Sequence, residues 1–291
     1  MQDGLPQPLG PGPANPRRLP TKNKVTNDNQ QCQVGLIYTF PNLLDGIGGE
    51  TITSPTFFFW NVPAVKPELR RFGNGQIPVV VIDDFSGSLE RILEIADELA
   101  PYPRHTNYYP GLRRIFTAAD TAANAYAEQS CESAAQFIAS AFGIDGFDLL
   151  EASFSMVTLK PTELTPAQRA PHFDTTDQKD LALLHFLRAP PNTGTAFYRQ
   201  RTTGIERVTP LNVSVYVPVA EVENAQLPAG SGYFHGSDEF FEEIGAVEAV
   251  PDRMIIFQGS LIHSGIVPPD MPLTGDPRNG RLTANIFVRG H

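Results

Sequence analysis

Over its first seventy residues the chain shows no sustained hydrophobic period, only short apolar islands such as "VGLIY" and "TFFFW" between polar and glycine-containing stretches. Ten of the 27 prolines fall in this stretch. Such sequence buries too little apolar surface to offset the entropy lost on ordering. We expect residues 1–70 to form a largely disordered extension, with Arg70 and Arg71 as its solvated end, and a folded domain to occupy 76–289. At "IPVVVIDDF" the pattern changes, because the β-branched run Val79 to Ile82, closed by acidic turn residues, reads as a buried strand.

Apolar residues then recur at helical spacing. In "SGSLERILEIADELAPYP" they fall at Leu89, Ile92, Leu93, Ala96 and Leu99, with Ser86 or Ser88 to cap and Pro101 to stop. A second helix is predicted from about Thr117 to Phe142, with Phe137, Ile138, Ala141 and Phe142 on one face and Gly143 as terminator. After Gly146 the period shortens to that of strands: "LLEASFSMVTLK", "LALLHFLRA", "GTAFYRQRT", "VTPLNVSVYVPV", "DRMIIFQG" and "RLTANIFVRG", separated by Pro- and Gly-rich turns. One short acidic helix, "SDEFFEEIG", is predicted among them. Helices followed by many short strands predict a mainly β domain of the α+β class, a sandwich or jelly roll buttressed on one side.

Composition narrows the function. A hydrophobic content of 41% and a charged content of 19% are those of an ordinary globular protein. The net charge of -10 argues against a nucleic-acid or anionic-membrane partner, which would need a basic patch. The two cysteines, Cys32 and Cys131, supply neither a disulfide framework nor a cysteine zinc site. The start "MQDGLPQPLGPGPANPRR" lacks the basic and apolar regions of a signal peptide, so the expected location is cytoplasmic. Nothing in the sequence fixes the oligomeric state.

The chemistry centres on "PHFDTTD". Residues two apart on an extended strand share a face, so His172 and Asp174 present an imidazole and a carboxylate to one point while Phe173 turns away. The best candidate for a third ligand is His263 in "MIIFQGSLIHSGIVPPD", just past a predicted buried strand. Two histidines and one carboxylate occupy one side of an octahedral metal and leave the other side open, which suits non-haem Fe(II) working with dioxygen. If the co-substrate is 2-oxoglutarate, its distal carboxylate needs a fixed cation. Arg281 in "NGRLTANIFV" fits, with Thr283 on the same strand face as a further donor and Arg278, in the preceding turn, as the alternative.

These residues together carry a resemblance. His-x-Asp, "MIIF…LIHSG" and Arg-x-Thr on a last strand look like the 2-oxoglutarate and Fe(II)-dependent dioxygenases, near the prolyl 4-hydroxylase branch. "GTAFYRQRTTG" resembles the Gly-Gly-x-x-x-Phe strand of that branch, with Gly194 standing for the glycine pair. Residues from about 76 to 289 more closely resemble an uncharacterised bacterial branch whose members are often encoded near flavin-dependent tryptophan halogenases. The resemblance implies a double-stranded β-helix of the jelly-roll, cupin-like kind, with His172, Asp174 and His263 as iron ligands and catalytic residues, Arg281 holding the co-substrate, and a small-molecule or peptidyl substrate. It also implies oxygenation rather than halogenation, since halogenases of the superfamily carry Gly or Ala where Asp174 stands.

Other residues admit plainer readings. His185, mid-strand among leucines, is either a core histidine or a residue near the co-substrate. Arg199 and Arg201 either pair with the acidic surface or line the mouth of the site, and Tyr216 and Tyr233 read as packing aromatics. The rival to an oxygenase is a non-catalytic, cupin-like metal-binding or scaffold protein with a vestigial site.

Overall fold

The computed structural model describes residues 67–104, 109–228 and 230–291, so the predicted disordered extension, apart from its last four residues, lies outside the described residues. The first elements are β1 (Pro67–Phe72) and β2 (Ile77–Ile82), an antiparallel hairpin paired from Pro67↔Ile82 to Phe72↔Ile77. The fold therefore begins upstream of residue 76. "FGNGQ" is a turn in which Gly73 takes a positive φ of 66° and the Glu206 carboxylate accepts from the Asn74 and Gly75 amides at 2.9 and 3.0 Å. Arg70 is no free end: it pairs with Glu68 at 2.7 Å.

Next come α1 (Leu89–Glu98), β3 (Gly111–Ile115) and α2 (Thr121–Phe142). The two predicted helices form for the reasons the periodicity gave. In α1, Ile92, Ile95 and Ala96 are buried, and α2 ends at Gly143 in the left-handed conformation, with its N–H bonded to the Ala139 carbonyl. The remaining elements are β4 (Phe147–Val157), two 3-10 turns at Pro161–Glu163 and Pro166–Arg169, β5 (Asp180–Arg188), β6 (Gly194–Gln200), α3 (Val213–Gln226), β7 (Phe241–Glu248), β8 (Arg253–Gln258), β9 (His263–Ile266) and β10 (Leu282–Gly290).

The strands form a seven-stranded antiparallel sheet, β1-β2-β8-β5-β10-β4-β3, and a three-stranded sheet, β7-β6-β9, which a bridge between His172 and His263 extends by one position. From β4 onward the chain alternates between them: β4 large, His172 small, β5 large, β6 and β7 small, β8 large, β9 small, β10 large. This winding is a double-stranded β-helix, a jelly roll.

At β2 and β8 the large sheet is covered on both faces. Val80, Ile82, Leu183, Ile256 and Ile286 pack with Ala127, Cys131, Ala134 and Ile138 of α2. Val79, Val81, Phe186, Ile255 and Phe257 pack with Phe197 and Val247 of the small sheet. Burial on both faces explains why "VVVI" is apolar without alternation. Cys131 is a buried free thiol, which desolvation pushes up to about 12, so it is inert. No described helix is long and apolar enough to cross a membrane.

Two predicted elements are wrong. "VTPLNVSVYVPV", expected as a strand, contains the first half of α3. Its alternating valines satisfy both periods, and the helical one wins because Val213, Tyr216, Val217 and Ala220, at i, i+3, i+4 and i+7, pack on the outer face of the small sheet beside Ala196, Tyr198 and Phe241. "SDEFFEEIG", expected as a helix, runs from a turn into β7. There Asp238 accepts from the Phe240 and Phe241 amides at 2.8 and 2.6 Å, and β6 supplies a pairing partner along the whole strand.

Candidate metal centre and co-substrate pocket

His172 and His263 are bound backbone to backbone, each N–H donating to the other's carbonyl at 2.9 and 2.8 Å. This fixes the two imidazoles side by side, with ring centres 4.4 Å apart. Asp174 is held by its own N–H, which donates to the Gly259 carbonyl at 2.7 Å. A Cβ on Gly259 would lie 3.3 Å from that of Asp174, so the glycine leaves the carboxylate its room. Phe173 turns away onto Tyr216, ring centres 5.6 Å apart. One ligand atom from each of His172, Asp174 and His263 falls within 4.8 Å of the others. The Asp174 carboxylate lies 3.8 Å from His172 Nε2 and 3.6 Å from His263 Nε2.

The electronic state of the two rings suits a metal. His263 Nδ1–H donates to the Leu261 carbonyl at 2.8 Å, which leaves Nε2 as a lone pair facing Asp174. Loss of hydration and the adjacent His263 ring lower the pKa of His172, while Asp174 opposes them. Half of the His172 side chain stays open to water, 52%, which limits the desolvation, but its direction favours the neutral, ligating ring.

Arg281 lies deep between the sheets at 5% exposure. Its Nη2 donates to the Gly194 carbonyl at 3.4 Å, its Nε has no hydrogen-bond partner among the described residues, and the guanidinium rests 5.8 Å from the Phe186 ring centre. Burial pulls its pKa down, opposed by the hydroxyls of Tyr109 and Tyr233. Gly194 itself is required by its neighbour strand β7, since a Cβ there would fall 2.4 Å from the Val247 carbonyl oxygen. Two residues along the chain stands Thr283, whose hydroxyl donates weakly to the Ser155 carbonyl at 3.5 Å, and next to Gly194 the buried hydroxyl of Thr195 has no hydrogen-bond partner among the described residues. A buried cation costs several kcal/mol unless paired. The chain supplies no carboxylate to Arg281 among the described residues, so an anion that presents several acceptor oxygens would complete the group.

Of the residues singled out from the sequence, the structure brings His172, Asp174 and His263 to one point and buries Arg281, just before β10, and Thr283, on it. Arg278 is exposed and lies 3.6 Å from Asp97. Arg199 pairs with Glu242 at 2.8 Å and Glu206 at 3.4 Å, which answers for the cationic strand face. His185 does not lie beside the co-substrate pocket. It projects from the opposite face of β5 from Phe186, toward α2, where Nε2 donates to Asp252 at 2.9 Å and Nδ1 is hydrogen-bonded to the Tyr126 hydroxyl at 2.8 Å. Sequence reasoning missed Ser155, Thr195 and Tyr109. The one available signal was the alternation of serines in "SFSMV", which places Ser153 and Ser155 on the inward face of a strand.

Solved structures with a similar chain path include the non-heme alpha ketoglutarate dependent epimerase SnoN from nogalamycin biosynthesis, at 12% identity and TM-score 0.43, covering 73% of this chain and 77% of that one. HygX from Streptomyces hygroscopicus with iron bound matches at 13% identity and TM-score 0.44, covering 73% and 82%. The viral collagen prolyl hydroxylase vCPH from Paramecium Bursaria Chlorella virus-1 matches at 14% identity and TM-score 0.38, covering 73% and 96%. No curated protein shows significant sequence similarity to the chain. A family model described as "Family of unknown function (DUF6445)" matches residues 63–288, nearly the whole described structure with both sheets and every residue of the candidate site, and the chain belongs to that family.

Proposed function

We propose that the protein is an Fe(II)- and 2-oxoglutarate-dependent oxygenase of the hydroxylase type, converting 2-oxoglutarate, dioxygen and a substrate C–H to succinate, carbon dioxide and the hydroxylated product. The observation that carries this reading is the buried, uncompensated Arg281 cluster beside an open two-histidine, one-carboxylate centre. His172, Asp174 and His263 would hold the metal, and their arrangement leaves one side free for two further ligands. Arg281, with Thr283, would clamp the distal carboxylate of 2-oxoglutarate through parallel charge-assisted hydrogen bonds. The bound iron and 2-oxoglutarate supply the oxidising chemistry; the chain supplies position and exclusion of water.

Each side chain has a definite task in this scheme. The Leu261 carbonyl holds the tautomer of His263, Gly259 holds Asp174, and Phe257, whose ring centre lies 4.8 Å from that of His263, keeps the inner side of the ring dry. Asp174 fills the ligand position that chloride would need and adds negative charge there, which favours oxygen transfer over halogenation.

The test is to incubate the Fe(II)-loaded protein with 2-oxoglutarate in air, with chloride and a pool of candidate substrates, and to follow succinate and product masses. Succinate, with products that gain one oxygen or lose two hydrogens, is expected. Iron bound without succinate would support the scaffold alternative, and a chlorinated product would overturn the hydroxylase assignment.

A further inference from the structure

The inner face of the large sheet is closed along part of its width and open along the rest. At β2 and β8, Val79, Val81 and Ile255 are fully covered by the small sheet. Across β5, β10, β4 and β3, however, Leu184, Asn285, Phe287, Glu151 and Arg113 share that inner face and retain solvent contact. This bay adjoins the metal centre. Phe287, Ala182 and Phe257 lie in one cross-strand row that ends against the His263 ring, and Glu151 extends the row on the other side. With strands about 4.8 Å apart, the backbone at Glu151 stands about 14 Å from that at Phe257, a span that a small molecule bridges.

The wall of the bay carries charges that are only half used. Arg113 donates from Nε to the Ser153 hydroxyl at 2.9 Å and from Nη2 to Glu151 Oε1 at 2.7 Å, and its guanidinium lies 5.5 Å from the Phe287 ring centre. Its Nη1 and the second oxygen of Glu151 make no hydrogen bond among the described residues, and the two side chains are 14% and 37% exposed. Next to them the buried Nδ2 of Asn285 also lacks a partner. A free donor and a free anionic acceptor held side by side are complementary to a ligand that carries an ammonium and a carboxylate on one carbon. In a peptide both groups are amides, so the same pair would leave charge unmatched.

We propose that this bay binds the primary substrate and that the substrate is a free amino acid or a similar zwitterion, its ammonium on Glu151 and its carboxylate on Arg113 and Asn285. The inference rests on the oxygenase reading, which supplies the reactive centre toward which the side chain of the amino acid would point across Phe287 and Ala182.

Calorimetric titration tests it. The Fe(II)-loaded protein is first titrated with 2-oxoglutarate under argon, then with a panel of L-amino acids, their N-acetyl derivatives and their carboxamides. At least one free amino acid should bind, its two blocked derivatives about tenfold or more weaker, and Glu151→Gln should weaken the free amino acid by a similar factor. Arg113→Lys, which keeps the charge but loses the fork, provides the same readout if the glutamine variant does not fold. Should 2-oxoglutarate bind while no free amino acid does, or while blocked derivatives bind equally well, the zwitterion inference is overturned and the oxygenase reading stands. A wild-type protein that fails to bind 2-oxoglutarate removes the oxygenase reading and this inference with it.

Discussion

At the scale of single residues, the site is arranged at the expense of stability. Arg281 is a buried guanidinium whose Nε has no partner among the described residues, a group that costs stability until a ligand completes it. Arg281→Lys should therefore weaken 2-oxoglutarate binding by about tenfold or more, because the point charge remains and the fork is lost. Arg281→Met should bind none, yet melt no lower than the wild type without ligand, and a few degrees higher if removal of the charge is worth about 1 kcal/mol. Melting curves with and without 2-oxoglutarate separate the two effects. For the metal centre, His172→Ala and His263→Ala should each abolish tight iron binding with little change in far-UV circular dichroism, and elemental analysis is the check; iron content equal to the wild type in both would exclude the triad. His263 had to be sought elsewhere in the chain, but the convergence of His172 and Asp174 was legible because the His-x-Asp spacing puts both on one side of an extended segment. The placement of His185 was not: β5 is apolar on both faces, so alternation does not say which side meets the pocket and which the helix.

Individual elements were legible where one period dominated. The helices α1 and α2 carry a stripe and a stop signal, and both formed as predicted. In α3, valines at every second position mimic a strand, and Pro218 inside the helix adds a further contrary signal. The two readings differ in a measurable way. A half-buried strand would put Val215 and Val217 on one face, whereas in the helix Val215 is 54% exposed and Val217 packs against the small sheet. Val217→Asp should cost about 2 kcal/mol, since it sets a carboxylate against the packed outer face of the small sheet. Val215→Asp should stay within about 0.5 kcal/mol. Urea unfolding of the two variants decides the matter, and comparable losses in both would contradict the helix.

At the scale of the whole molecule, a buried polar network ties distant parts of the chain together behind the large sheet. Tyr126 of α2, His185 of β5, Asp252 in the turn before β8, and Ser86 after β2 are joined by hydrogen bonds of 2.6–2.9 Å. Burial alone would raise the pKa of Asp252, but the hydrogen bonds from His185 and Ser86 outweigh it and hold the carboxyl below its usual value. A carboxylate whose folded pKa is lowered contributes stability that is present above its unfolded pKa, near 4, and is lost as pH falls through the folded value. Asp252→Asn should accordingly be less stable at pH 7 and lose less stability on acidification below about pH 4. Urea midpoints measured from pH 7 to pH 2 on both proteins give the comparison, and parallel curves would remove Asp252 as the cause.

What the sequence determined by itself was whatever depends on residues close along the chain: the helical stripes, the strand class of the second half, and a histidine and a carboxylate presented to one point. Those follow from the 3.6- and 2-residue periods, which need no partner to be read. The tertiary structure decided the rest. It made a strand of "FEEI" by supplying β6 as a partner, drew β1 into the fold through pairing with β2, and turned His185 away from the pocket. It also brought the Gly194 carbonyl of the small sheet and the Phe186 ring of the large sheet to one guanidinium. The reason is physical: which face of a strand is inward, and which buried polar groups are left without partners, depends on the elements packed against it, and those come from distant parts of the chain.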